Sequence, residues 1–284
     1  MKPLLILFLI FGINCGAETF EFGLAADLGK KNQNQKLVLE SLLTRHIDKL
    51  IMAGDNLYQT NSTYEETWSE YTKNKISFAV TAIGNHNLGY KTEMSFFQMP
   101  GEYYVKTYGK RIQFIVLNSD NADNVAEQFK FLEKTLQASD EKNINFLVYH
   151  HPTYTISRFH KWNEKKEFQL KMRDIFKKYK NKITAVLIGH DHLTSLGHFG
   201  DIPYILTGAT QDTRSDKPTN NTQDGVPVST EWFFKGNPTW AKLVIDDKTS
   251  RISLQFVDAK KKQAVCDADI QPDRKVVLAK NCSD

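Results

Sequence analysis

Three cysteines in 284 residues cannot build a disulfide-dense scaffold or a four-thiolate zinc site. Charge of one sign is scarce as well: a formal net charge of +4 does not by itself imply a polyanionic partner. No apolar run reaches the roughly 20 residues needed to span a bilayer. With 15 Gly and 8 Pro and no repeat or low-complexity stretch, collagen-like and linker-divided architectures are excluded. What remains is 40% hydrophobic and 25% charged, the balance of a globular chain that can bury a core rather than stay disordered.

The longest apolar run, Leu4 to Phe11, follows Lys2 and precedes the small-residue segment Cys15-Gly16-Ala17. That order describes a secretory signal peptide over residues 1–17, cleaved after Ala17. The expected location is secreted or periplasmic. A lipidated Cys15 is the weaker alternative, because Gly12-Ile13-Asn14 matches a lipobox poorly. Loss of the leader would leave Cys266 and Cys282, an even pair that favours a disulfide in an exported chain. Asn61, Asn220 and Asn281 open N-glycosylation sequons, which matter only in a eukaryotic source.

From residue 18 to 284 short β-rich runs alternate with amphipathic helices, read as one α/β domain. Strands are expected at 20–25, 50–53, 78–83, 112–117, 146–149, 185–188, 204–206, 240–245 and 252–257. Helices are expected through Leu39 to Leu50, Val125 to Leu136 and Phe168 to Tyr179. Five strands stop immediately before a polar cluster: Asp27-Leu28-Gly29, Gly54-Asp55-Asn56-Leu57-Tyr58, Gly84-Asn85-His86, His150-His151-Pro152 and Gly189-His190-Asp191-His192. Ligands of α/β sheets bind beyond the carboxyl ends of strands, where loops converge from a fixed frame. Each piece alone is more often a turn or a structural histidine. Five together, without cysteine, point to a metal site of carboxylate, amide, phenol and imidazole.

This order and spacing resemble the calcineurin-like metallophosphoesterases, and among them the purple acid phosphatases of the small, tartrate-resistant type, over residues 20 to 212. The discriminating positions are Gly29, where many relatives carry a histidine ligand, and Tyr58, three residues after Asp55. The resemblance implies a four-layer α/β/β/α sandwich, two mixed sheets flanked by helices. It implies that Asp27, Asp55, Tyr58 and His192 hold one metal, and that Asp55 bridges to a second held by Asn85, His150 and His190. Three anionic oxygens and one imidazole suit Fe(III); the mixed second set suits Fe(II), Zn(II) or Mn(II).

The implied activity is acid hydrolysis of small phosphate monoesters by metal-bound hydroxide, with His86 beside the phosphate and His160 as a proton donor or phosphate contact. An exposed loop position is the competing reading for His160. Asn87 departs from the family, which has an acid there, and that bears on the orientation of His86. Tyr154 and Arg158 share the loop of His160 and are candidates for the substrate mouth. A phosphodiesterase or nucleotide pyrophosphohydrolase with the same core is the nearest alternative; a non-catalytic metal- or phosphate-binding protein is the alternative of another class. Lys177-Lys178-Tyr179-Lys180 and Lys260-Lys261-Lys262 lack interleaved stacking aromatics, so no nucleic-acid partner is expected. No membrane span is expected either, and the oligomeric state is left open.

Overall fold

A computed structural model describes residues 18–59, 61–154, 156, 157, 160, 164–208, 210, 218 and 220–282. The leader expected over residues 1–17 and Arg158 lie outside the described residues. Two mixed sheets flanked by helices form the architecture, as the α/β expectation required. One end of the first sheet is made of three parallel strands, β1 (Thr19–Ala25), β2 (Lys49–Ala53) and β3 (Ser77–Ala82), with β3 at the edge. The second carries β4 (Tyr104–Tyr108), β5 (Ile112–Val116), β6 (Ile144–Val148), β7 (Ala185–Ile188), β8 (Thr194–Phe199), β9 (Ile202–Thr207), β10 (Asn221–Gln223) and β11 (Val226–Phe234). Within it, β5, β6, β7 and β9 run parallel. The chain then returns to the first sheet as β12 (Thr239–Asp246), β13 (Ile252–Asp258), β14 (Gln263–Ile270) and β15 (Val276–Leu278), antiparallel neighbours in series with β12 against β1.

Alternation sorts the second sheet's side chains into two cores. On β5, Ile112, Phe114 and Val116 enter the layer shared with the first sheet, while Ile115 points the other way. Phe22 of β1 meets Phe114 edge-on at 5.4 Å, and Phe114 stacks on Phe146 of β6 at 5.1 Å. The opposite face is covered by α4 (Val125–Ala138) and α5 (Lys166–Tyr179), through Leu132, Phe168 and Met172. Helices α1 (Gln33–Thr44), α2 (Tyr64–Lys73) and α3 (Tyr90–Phe97) add Val38, Trp68 and Phe97 to the first sheet's core.

One helix of the sequence reading is corrected here, and two helices, α2 and α3, are added to it. The helix expected to run through Leu39 to Leu50 stops at Thr44, because His46 turns left-handed at φ 54° and Ile47 N–H folds back onto Leu42 O at 3.1 Å. No glycine marks that stop, so the apolar spacing continued past it. Helix α2 was not anticipated, although Thr63 and Glu66 cap it reciprocally. Among the described residues no helix is long and apolar enough to cross a membrane.

Cys266 of β14 is disulfide-bonded to Cys282. Asn281 reinforces the join by donating from Nδ2 to Asp267 Oδ2 at 2.9 Å and accepting the Asp267 N–H at 3.1 Å. Closing a loop of this length stabilises the native state by about 3 kcal/mol in the chain-entropy treatment. Replacing both cysteines by serine is expected to lower the denaturation midpoint by a corresponding amount in equilibrium urea unfolding. Intact wild type from an oxidising compartment should weigh two hydrogens less than the reduced chain.

Candidate metal centre

Every polar cluster that ends a strand reaches the same place. Asp27 follows β1, Asp55 follows β2, Asn85 follows β3, His150 follows β6, and His190 and His192 lie between β7 and β8. Main-chain bonds knit these loops: Asp27 N–H to Gly54 O (3.0 Å), Gly29 N–H to Asp55 O (3.0 Å) and Tyr58 N–H to Gly29 O (2.9 Å). The last bond explains Gly29. A Cβ there would lie 2.1 Å from the Asn56 carbonyl carbon, so no side chain fits where Tyr58 is delivered. Gly54 has φ +93°, and a Cβ would fall 2.5 Å from His150 Nδ1.

Asp27, Asp55, His190 and His192 all adopt left-handed backbone, with φ of 55°, 55°, 72° and 49°. Such conformations are unfavourable for residues with a Cβ and concentrate at functional sites. They aim the side chains inward. Tyr58 Oη donates to Asp27 Oδ1 at 3.0 Å and lies 3.1 Å from His192 Nε2, which is 3.4 Å from Asp27 Oδ1. The donor atoms of Asp27, Asp55 and His192 all fall within 4.8 Å of one another. Across from them, His150 Nδ1 lies 2.9 Å from Ala53 O, a carbonyl that can only accept. Nε2 is therefore the nitrogen turned inward, 3.2 Å from Asp55 Oδ1 and 3.9 Å from Asp27 Oδ1, without a well-aligned hydrogen bond. Asn85 Oδ1 is 3.1 Å from His190 Nδ1.

The electrostatics of this cage are those of a site short of positive charge. Burial pushes the Asp55 carboxyl up, but His150 and the His86 N–H outweigh it and hold it below the usual carboxylate range. Burial works against the charged form of His150, yet Asp55 and Asp27 raise its pKa to about 9. Burial, then the charges of Asp27 and Asp55, drive the Tyr58 phenol far above its ordinary value. His190 goes the opposite way, to about 4, through burial and the neighbouring His150 and His160. Two buried carboxylates facing imidazole and phenol donors fit a multivalent cation, and the oxygen-rich and imidazole-rich halves offer two places for one.

All nine candidate residues are gathered here. His86 stands exposed at the rim, its ring 4.5 Å from that of Tyr58, and its N–H donates to Asp55 Oδ1 at 2.9 Å. Asn87 turns back on its own loop, donating to Gly84 O (2.9 Å) and accepting from Gly89 N–H (2.8 Å). His160 packs its ring 4.0 Å from that of His190, which places it at the site rather than on a remote loop. Tyr154 is no part of the mouth: it is fully buried, with the Arg173 guanidinium 4.5 Å over its ring. His151, named in the His150-His151-Pro152 cluster but not among the expected ligands, is buried with Nδ1 2.8 Å from Ser119 Oγ, its ring 4.4 Å from that of His190. One side chain escaped the sequence reading: Glu164 lies 2.7 Å from His190 Nε2 and ends no strand.

Residues 20–193 match the calcineurin-like phosphoesterase family. No curated protein matches the chain. Among solved structures, GAP50, described as the anchor in the inner membrane complex of Plasmodium, is similar at 14% identity, with 92% of this chain and 90% of that chain covered and a TM-score of 0.64. A dimetal phosphatase from Danio rerio is similar at 12% identity, covering 89% and 98%, with a TM-score of 0.59. At such identities the likeness speaks for the fold.

A buried carboxyl supports the loops from below. Glu93 of α3 accepts from Asn56 Nδ2 (2.6 Å) and Tyr64 Oη (3.0 Å), tying the residue after Asp55 to the helix that follows the His86 loop. Burial raises its pKa from 4.5 to about 8, against the pull of those two donors. The native state thus holds a proton that the unfolded chain releases. The stability this confers is complete below the ordinary carboxyl range and is lost as pH rises through about 8. Glu93→Gln cannot ionise and is expected to lose less stability than wild type between about pH 5 and about pH 9. Parallel stability curves for the two proteins would mean that Glu93 is ionised throughout.

Proposed function

The chain belongs to the calcineurin-like phosphoesterase family, and from that premise we propose an exported binuclear-metal phosphatase of the purple, tartrate-resistant acid type, acting on phosphate monoesters. The observation that carries this reading is Tyr58 Oη, set between Asp27 Oδ1 and His192 Nε2. A phenol among carboxylates loses its proton only to a strong Lewis acid. Asp27, Asp55, Tyr58 and His192 would hold Fe(III). Asn85, His150 and His190 would hold a divalent Fe, Zn or Mn ion, with Asp55 shared. Bound there, the pair would supply Lewis acidity to the phosphoryl oxygens and lower the pKa of the attacking water.

The chain's own groups do the rest. Asp27 holds Tyr58 by a hydrogen bond and accepts the His190 N–H at 2.9 Å, so its carboxylate fixes both halves relative to each other. His86, at the open rim, would contact the phosphate. His160, whose ring is 4.0 Å from that of His190, would give a proton to the leaving oxygen. The disulfide fits export through an oxidising compartment. Turnover of an aryl phosphate monoester against the matching diester, with metal content assayed on the same sample, tests the substrate class. Preference for the diester would make it a phosphodiesterase; two bound metals without turnover of either would make it a binding protein.

Asp55→Asn, which alters the one shared ligand, is expected to abolish binuclear occupancy and nearly all turnover. His160→Ala should retain both metals and mainly lower kcat. Metal analysis beside steady-state kinetics reads both, and a fully active, doubly loaded Asp55→Asn protein would refute the ligand assignment. Iron-loaded wild type should show a visible phenolate-to-iron band. Tyr58→Phe should lose that colour while keeping iron and substantial activity. A band unchanged in Tyr58→Phe would remove Tyr58 from the metal.

A further inference from the structure

We infer that Glu164 is a positioning residue for the second metal: its carboxylate fixes His190 in the tautomer that turns the Nδ1 lone pair toward the Asn85 side. The inference rests on the binuclear reading above and concerns a residue outside the ligand set. Glu164 Oε2 is 2.7 Å from His190 Nε2. An ionised carboxylate can only accept, so Nε2 must carry the hydrogen. Nδ1 of the neutral ring then keeps its lone pair, 3.1 Å from Asn85 Oδ1. An oxygen facing that lone pair repels it unless a cation sits against both; without a cation the Asn85 amide can turn its Nδ2–H to Nδ1, and either arrangement keeps Nδ1 as the acceptor.

The rest of the environment holds the ring where Glu164 can act on it. The His190 main-chain N–H is bound by Asp27 Oδ2 at 2.9 Å, and its φ of 72° sets the direction of the side chain. The ring is flanked by His151 at 4.4 Å and His160 at 4.0 Å, with His150 edge-on at 5.1 Å. Packing thus restricts the ring's position, but aromatic neighbours do not choose which nitrogen bears the proton. Glu164 does. The same oxygen lies 3.3 Å from His160 Nδ1, so one carboxylate also steadies the ring proposed to meet the leaving group. A carboxylate on the non-ligating nitrogen raises the basicity of the ligating one, and losing such a partner weakens metal affinity about 10–100-fold.

The test titrates the full-length apo protein with Zn(II) in a calorimeter, for wild type, Glu164→Ala, Glu164→Gln and His160→Ala. Wild type should take two ions. Glu164→Ala should bind one ion as wild type does and the other about 10–100-fold more weakly. Glu164→Gln, whose amide oxygen can still accept the Nε2–H, should fall between, and His160→Ala should keep both affinities. Long-range 1H–15N spectra of the apo proteins should show His190 protonated on Nε2 in wild type and a mixture of tautomers in Glu164→Ala. Wild-type affinities in Glu164→Ala, or an unchanged His190 tautomer, would overturn the inference, as would equal weakening of both sites with a lower apo melting temperature. Fewer than two ions in wild type would instead defeat the binuclear reading on which it stands.

Discussion

The Asp27 carboxylate is the constraint on which the rest of the site depends. Asp27 ends a strand of one sheet, and its Oδ2 accepts the N–H of His190, which ends a strand of the other. Its Oδ1 receives the Tyr58 hydroxyl. A parallel main-chain bond, Ala26 N–H to Thr207 O at 3.1 Å, closes the same seam. The two sheets could pack face to face in many offsets on apolar contact alone, because such contact is non-directional. Hydrogen bonds across the seam select one offset, and that offset makes five loops converge. The phosphoesterase centre is therefore a property of the docking between sheets rather than of either sheet.

The geometry bears an internal cost that the surroundings offset. Four of the converging residues hold left-handed backbone although none is glycine. Glycines occupy the positions where neighbouring chains come too near for a Cβ, as Gly29 does against the backbone of Asn56. Beneath them Glu93, Asn56 and Tyr64 form a buried polar brace, with Asn56 Nδ2 also bound to Ala82 O at 2.8 Å at the end of the third parallel strand. Strained loops persist when the structure around them leaves no alternative conformation.

Much of this was legible in the sequence because strand ends announce themselves. Asp27, Asp55, Asn85, His150 and His190 each follow a short β-rich run, and the parallel-sheet rule turns that position into a shared location. Tyr58 and His192 entered through the family resemblance, which groups them with Asp27 and Asp55. Alternation found most central strands but not β8, β11 or β14, whose outer positions are polar or half-buried and dilute the apolar period. Helix α2 has few apolar residues, so its capping box was a better signal than its stripe. Glu164 was hidden for a different reason. Its importance comes from what lies opposite it in space, and no local pattern around it distinguishes it from a solvated acid.

The hydrogen bond between Asp27 and His190 joins residues 163 positions apart. Contacts of such long range form late, because the loop they close must be ordered first. During synthesis Asp27, Asp55 and Tyr58 emerge long before the histidines that complete the cage, so a metal held by the full set would bind only once the second sheet has docked. Metal loading would then act as a checkpoint on completed folding. An ion that binds only the finished state shifts the folding equilibrium toward it by mass action, and a chain truncated before His190 forfeits that gain altogether.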